Sequence, residues 1–426
     1  MVVPTSGAAR ALLSVEEARI RVLAGVAALP AETVALEPAA GRVLSEPVAA
    51  AQTLPAWDNS AMDGFAVRSE DVVSASPQQP VTLRVAGESA AGHPSPAPVA
   101  PGTAIRISTG AMLPAGADAV VPVEETDAPA GARSIADVVR VMRAAPAGNH
   151  VRRRGEDVHA GERLLDAGRA VGPAALALLA AAGVTHVSVH RAPRVAVLAT
   201  GDELVPLGSP LGPGAIYDSN SIALAAQARA ARAEVRRLGL ARDTLEAVLT
   251  PLREAAGWAD VIVTSGGVSV GAHDVVRDAF AALGEVDFWR VAVQPGKPLA
   301  YGRAGGCHLF GLPGNPVSAF VTFELFVRPL LRQLAGRVDL LGRTVVRARL
   351  AQAVTKSTER RAFLRVRLER EAGPSGGTLA RLAGGQGSHV LSALAAADGL
   401  AIVPEGLPGL SAGSEVDVWT LDDEGA

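Results

Sequence analysis

One cysteine, Cys307, stands among 426 residues. A single thiol excludes an intramolecular disulfide and any thiolate-rich metal centre within one chain. Metal chemistry here has to use oxygen ligands or sulfurs brought by a ligand. Aromatic residues make up only 3%, and 40 Lys+Arg stand against 43 Asp+Glu for a net charge of −3. With neither stacking platforms nor a broad basic surface, nucleic acid is not an expected partner. The longest uncharged apolar run, near Ala174 to Val184, falls short of the roughly 20 residues a bilayer span needs. A basic segment followed by an apolar core is missing from the N-terminus, so no membrane association and a cytoplasmic location are expected.

Some motifs are missing as well. No Gly-Lys-Ser/Thr occurs, so there is no Walker loop, and the chain's main glycine segment does not fit the Gly-x-Gly-x-x-Gly of dinucleotide binding. The eight histidines form no metal-ligand spacing; His186 and His190 lie four apart, but on a β-like stretch. No nucleophile elbow is read in the sequence and Cys307 falls in a strand-like run, so nucleophilic hydrolase chemistry is expected to have no candidate.

What is present is apolar material for several cores: 49% hydrophobic against 19% charged residues. At this length, roughly two to four domains are expected. Ser14 followed by Glu17 reads as a capping box that opens a helix. Between about Leu54 and Gly148, short apolar runs such as Val81 to Val85 and Ile105 to Ile107 alternate with Pro and Gly clusters, as in a small β-rich unit. The Ala/Leu run after Pro173, stopped by Gly183, reads as a buried helix that packs with the first one and makes the β unit an insertion.

From Arg194 the pattern changes. Strand-like Val195 to Ala199, Val235 to Leu240 and Val261 to Val263 alternate with helical stretches, which argues for a parallel sheet with helical crossovers. A long apolar helix runs from Pro316 to Leu334. Beyond it, Val346 to Leu350, Phe363 to Leu368 and Val416 to Trp419 alternate with period two, as half-buried strands do. The pattern therefore predicts an α/β multidomain fold: a helical/mixed unit over 10–53 and 149–192, a β-rich insert over 54–148, an α/β domain over 193–336 and a β domain over 337–426.

Thr264-Ser-Gly-Gly-Val-Ser-Val-Gly271 follows an apolar strand and precedes a helix. Backbone N–H groups there can converge on an anion, with Ser265, Gly266, Gly267, Ser269 and Gly271 leaving room, or the glycines can serve only a tight turn. Asp274 follows this loop and Asp243 follows the preceding strand, both at the edge where open sheets bind ligands. Two hard oxygen donors suit Mg²⁺ bridging phosphates, while either aspartate alone suits a helix cap. At the same edge, Asp202 or Glu203 of Thr200-Gly-Asp-Glu-Leu204 is placed to hydrogen-bond a ring or ribose, or to shape a turn. Lys297, on the rigid Gln294-Pro-Gly-Lys-Pro298 loop, offers a point charge to phosphate or an oxyanion. Pro313, Gly314 and Asn315 precede the long helix, Asn315 as its N-cap, and can aim free N–H groups at an anion.

Read together, Asp58-Asn-Ser-Ala-Met-Asp-Gly64, Ile107-Ser-Thr-Gly110, Arg152-Arg-Arg-Gly-Glu-Asp157, Thr200 to Leu204, Thr264 to Gly271, Pro295 to Pro298 and Leu312 to Pro316 closely resemble the molybdopterin molybdenumtransferase family, which includes bacterial MoeA and the gephyrin E domain. The match runs in family order from about Leu13 to Trp419. The resemblance implies a helical/mixed domain, an inserted β domain, a three-layer molybdopterin-binding α/β domain and a C-terminal β barrel, assembled as an elongated homodimer with shared active sites. It implies insertion of molybdenum from molybdate into adenylylated molybdopterin, with release of AMP dependent on Mg²⁺ or another divalent cation. The protein partners it implies are the molybdopterin adenylyltransferase and apo-molybdoenzymes.

Carried over by motif, Asp243 and Asp274 are the metal ligands, Gly266, Gly267, Ser269 and Gly271 the phosphate cradle, and Lys297 the group that stabilises developing charge. Asp63 and Asp157 match acids near the cleft, Thr109 a position contributed across the dimer, and Ser388 a substrate contact from the C-terminal domain. His273 departs from the family pattern beside Asp274. Two further readings stand beside this one: adenylyl transfer to molybdopterin, and a dimeric scaffold.

Overall fold

The computed structural model describes residues 12–128, 136–267, 275–337, 342–371 and 376–421. At its centre lies a six-stranded sheet, ordered Glu234–Ala241, Arg194–Thr200, Val261–Ser265, Cys307–Leu312, Pro298–Ala304, Glu285–Arg290. The first four strands are parallel, and the last two add antiparallel hairpins at one edge. The central strands are buried almost throughout, which explains their unbroken Val/Ile/Leu runs: both faces of a parallel sheet are covered. One face packs on Asn220–Ala230 and the helix after Pro316, the other on Leu245–Ala256 and Val275–Leu283.

The expected helix from Pro316 to Leu334 forms without a break, but in three segments. Pro316–Thr322 and Arg328–Leu334 are α-helical, and Phe323–Val327 between them is a π-helix. Ser14 and Glu17 exchange the reciprocal bonds of a capping box and start Val15–Leu23. Val15, Ala18 and Val22 of that helix are buried in the core that contains the 316–334 helix.

This corrects the expected pairing of the first helix with the one after Pro173. The latter spans Pro173–Ala181 and buries only Leu179 in full. Its apolar residues pack in a separate small core with Leu44, Leu165 and Val187. Ala and Leu on every side made it read as buried, yet only one face has a neighbour.

A five-stranded sheet occupies residues 64–141 with its own cores. Asn59–Ser60 pairs with Val151–Arg152, so the chain enters and leaves this unit at one place. After residue 342, the strands Arg361–Arg370, Thr378–Leu382, Val345–Leu350, Glu415–Thr420 and Gly399–Val403 close on themselves as a β barrel. Closure removes the sheet edges that would otherwise invite pairing with other chains. Among the described residues, no helix is long and apolar enough to cross a membrane.

Candidate active-site cleft

The carboxyl ends of the parallel strands open into a cleft of about 1130 Å³. Thr200, Asp243, Gly266 and Pro313 follow four successive strands and line it, Lys297 enters from the antiparallel hairpin, and Ser388 comes from the barrel. Eight expected site residues in the sheet loops therefore meet: Glu203, Asp243, Gly266, Gly267, Lys297, Pro313, Gly314 and Asn315. Ser269, Gly271 and Asp274 lie outside the described residues. Residues 267–271 also carry the Gly-x-Ser-x-Gly spacing of a nucleophile elbow, which the reading of the sequence passed over; its serine, Ser269, is one of those residues.

The two glycines at the end of Val261–Ser265 are dictated by the backbone. Gly266 has φ +96°, and a Cβ there would lie 2.4 Å from the Thr200 carbonyl oxygen. Gly267 has φ +66°, and its Cβ would meet Val276 at 2.5 Å. Thus the turn requirement is met, whatever ligand the loop holds. Gly266→Ala is expected to cost on the order of 1–3 kcal/mol from backbone strain alone, read as a lowered midpoint of thermal unfolding. An unchanged midpoint would show that this turn relaxes freely.

Asn220 binds two loops at once, donating from Nδ2 to the Ser265 hydroxyl and to the Gly314 carbonyl, each at 2.7 Å. Ser265 is buried and serves this clamp. Asn315 occupies the N-cap of Pro316–Thr322, makes no side-chain cap bond and lines the cleft, while Pro316 has no N–H to offer there.

Three carboxylates gather beside the glycine turn. Among the described residues Asp243 forms no ion pair with a cation, and its backbone N–H donates to Asp202 Oδ1 at 3.3 Å. Burial, then the nearby charges of Asp202 and Glu203, push the Asp243 carboxyl above its usual range. Concentrated negative charge of this kind is relieved by a bound cation. Among the described residues, no group of three or more His, Cys, Asp or Glu side chains is arranged to hold a metal ion on its own.

The barrel's contribution depends on Arg365, which the sequence reading missed. Only 1% exposed, it donates Nη2 to the carbonyls of Gly385 and Gly387, both at 3.0 Å. Its backbone N–H donates to Gln386 Oε1 at 2.9 Å. This holds the loop whose Ser388 carbonyl accepts from Val317 N–H at 3.0 Å, joining barrel to helix. The available signal was an arginine inside the apolar run Phe363 to Val366. Arg360 also lines the cleft.

Asp63, Thr109 and Asp157 do not line this cleft within one chain. Asp63 and Thr109 do meet: Oδ1 of Asp63 accepts from the Thr109 N–H at 2.7 Å and from its hydroxyl at 3.1 Å. Of the arginine run, Arg153 and Arg154 bind Asp58. Cys307 is buried and its thiol pushed up to about 12, so it is no nucleophile.

A nucleotide-sized cleft at the carboxyl edge of an open α/β sheet, rimmed by acids, glycine turns and a lysine, defines a protein that binds anionic ligands. The sequence matches three family descriptions in series: the MoeA N-terminal region (domain I and II) over residues 13–183, a probable molybdopterin binding domain over 196–333, and the MoeA C-terminal region (domain IV) over 347–421. Molybdopterin molybdenumtransferase 2 of Mycobacterium tuberculosis is 45% identical over 395 residues, 91% of this chain and 95% of that protein. Molybdopterin molybdenumtransferase of Haemophilus influenzae is 35% identical over 96% of this chain and 98% of its own length. A solved structure of the molybdopterin biosynthesis MoeA protein of Pyrococcus horikoshii aligns at a TM-score of 0.78 with 35% identity, over 97% of this chain and all of the other. The chain belongs to the molybdopterin molybdenumtransferase family.

Proposed function

We propose that this chain is the transferase that inserts molybdenum into molybdopterin, taking molybdate and adenylylated molybdopterin as substrates and releasing AMP. The names of its full-length relatives support the reaction class. One observation carries the substrate reading: the cleft joins acids and glycine turns at the sheet edge to the cations Lys297 and Arg360 and to Ser388 of the barrel loop. The ligand suited to it has a diphosphate for the turns and a second anion for the cationic side.

Asp243, with Asp202 and Glu203 beside it, presents hard oxygen donors of the kind Mg²⁺ selects, and Asp274 is the proposed second ligand. When bound, the ion supplies charge neutralisation at the phosphates. Glu203 orients the ring or ribose. Lys297 stabilises charge that develops on the leaving phosphate or on molybdate oxygen. Arg365 acts through the loop it holds, keeping Ser388 at the cleft. The dithiolene sulfurs that take up molybdenum belong to the substrate, which suits a protein with a single, buried thiol.

In a homodimer, the Asp63–Thr109 pair would reach the cleft of the partner subunit, and Asp157 would act near the same entrance. Mixing two inactive variants, Lys297→Ala and Asp63→Ala, tests this: hybrid dimers that recover activity support a shared site, and none overturns it.

The decisive assay supplies adenylylated molybdopterin with Mg²⁺ and measures AMP. Release that depends on molybdate is expected. Accumulation of adenylylated product from molybdopterin and Mg-ATP without molybdate would identify the sister adenylyl transfer instead.

A further inference from the structure

Folded chains rarely leave a buried side-chain polar atom without a hydrogen-bond partner, because such an atom has given up water and received nothing in return. Among the described residues, two atoms of this kind belong to residues that line the cleft, Thr200 Oγ1 and Gln294 Oε1. They differ in sense. The Gln294 carbonyl oxygen only accepts, whereas the Thr200 hydroxyl can donate to an anion.

Thr200 ends the strand Arg194–Thr200 and is 4% exposed. That strand lies between two parallel neighbours, Glu234–Ala241 and Val261–Ser265, and Thr200 itself pairs with Ala241. Its side chain lies against the glycine turn. A Cβ on Gly266 would come 3.0 Å from the Thr200 hydroxyl oxygen, and one on Gly267 would come 3.3 Å from it. The glycines that the turn demands therefore also bring bare backbone up to this hydroxyl.

Neighbouring cleft residues cannot take its place. Beside Thr200, the ends of these three strands and the loops after them give the cleft Gly201, Glu203, Asp243, Gly266 and Gly267 among the described residues. Glu203 and Asp243 only accept when ionised, and the glycines have no side chain. Thr200 is thus the one side-chain donor that this part of the sheet edge presents among the described residues. Held by the sheet, it needs little further ordering when a ligand arrives.

We propose that the Thr200 hydroxyl donates to a phosphate oxygen of the nucleotide seated on the Gly266–Gly267 turn. The assignment rests on the cleft reading above, in which that turn takes the diphosphate of adenylylated molybdopterin. Thr200 is a binding residue for that phosphate, and the partner its hydroxyl lacks within the chain comes with the substrate.

Two variants of the full chain test this, with AMP as the probe and calorimetry and thermal unfolding as the readouts. Thr200→Val keeps the shape and removes the hydroxyl, while Thr200→Ser keeps the hydroxyl. Without ligand, Thr200→Val should unfold at the same midpoint as the unaltered protein or higher, because an unsatisfied buried group has been removed. It should bind AMP at least about tenfold more weakly, the scale of a hydrogen bond to a charged group, and Thr200→Ser should stay within about threefold of the unaltered protein. The rise in midpoint that Mg²⁺ alone produces should be equal in all three proteins. If the unaltered chain binds AMP and Thr200→Val binds it equally well, the assignment is overturned and the cleft reading stands. A lowered ligand-free midpoint in Thr200→Val would make the hydroxyl structural, and a lost response to Mg²⁺ would make it a metal ligand; either overturns the assignment. An unaltered chain that binds no AMP would sink the cleft reading and the assignment with it.

Discussion

Asp243→Asn is expected to lower AMP release from adenylylated molybdopterin by about 100-fold or more, the scale on which several kcal/mol of metal-derived charge stabilisation act. Its cause is electrostatic. Burial first, then Asp202 and Glu203, raise the Asp243 carboxyl above its ordinary value, so the folded protein favours the protonated form. The stability this group contributes is fully present below its unfolded-state value and is lost as pH rises through the raised folded value. At neutral pH the ionised cluster is under repulsion that a divalent cation relieves. Mg²⁺ should therefore raise the thermal unfolding midpoint of the unaltered protein more at pH 7 than near pH 4, because binding requires the ionised carboxylate. In Asp243→Asn that rise should shrink or vanish. An equal rise in the variant, or full turnover, would remove Asp243 from the metal site.

The second large effect concerns stability. Glu324 is fully buried within the π-helical segment Phe323–Val327. Its carboxylate accepts from Gln227 Nε2 and from Arg343 Nε, each at 2.6 Å, with Arg328 Nε 3.7 Å away. Arg343 also donates to the carbonyls of Thr420 and Leu421 at the end of the barrel's last strand. Glu324→Ala takes away the carboxylate that these buried donors share, and removing one partner of a buried ion pair costs about 3–5 kcal/mol. The denaturant midpoint should fall accordingly. The contacts between Arg343 and the barrel should loosen as well, visible as faster hydrogen exchange at residues 418–421. A loss below about 1 kcal/mol would mean that water or neighbouring groups replace the carboxylate.

Where the sequence was legible, the reason was local. The capping box at Ser14 and Glu17, the Pro-started helix at 316 and the parallel strands are encoded by neighbours a few residues apart. The candidate cleft was legible because strand ends in an open α/β sheet carry their loops to one edge, so Thr200, Asp243, Gly266 and Pro313 had to converge once the alternation was recognised. Family motifs then pointed to Lys297 and Ser388. What failed was long-range. The Ala/Leu helix after Pro173 carried no stripe to say which face would be covered, so its expected partner was wrong. Glu324 and Arg365 read as charges interrupting apolar runs, and nothing nearby in sequence announced Gln227, Arg343 or the carbonyls of Gly385 and Gly387.

By itself, then, the sequence determined the alternation that makes the sheet, the glycines that its turns demand and the absence of any thiolate metal centre. Those follow from backbone sterics and residue chemistry over short stretches. Tertiary structure alone decided that the barrel loop bearing Ser388 meets the sheet edge, and that Asp63 and Thr109 pair outside the cleft of their own chain. It also decided that the Thr200 hydroxyl is buried against the glycine turn with no partner among the described residues. Such placements depend on which surfaces bury one another, a property of the whole packed chain that a single cysteine and a near-neutral charge balance do not reveal.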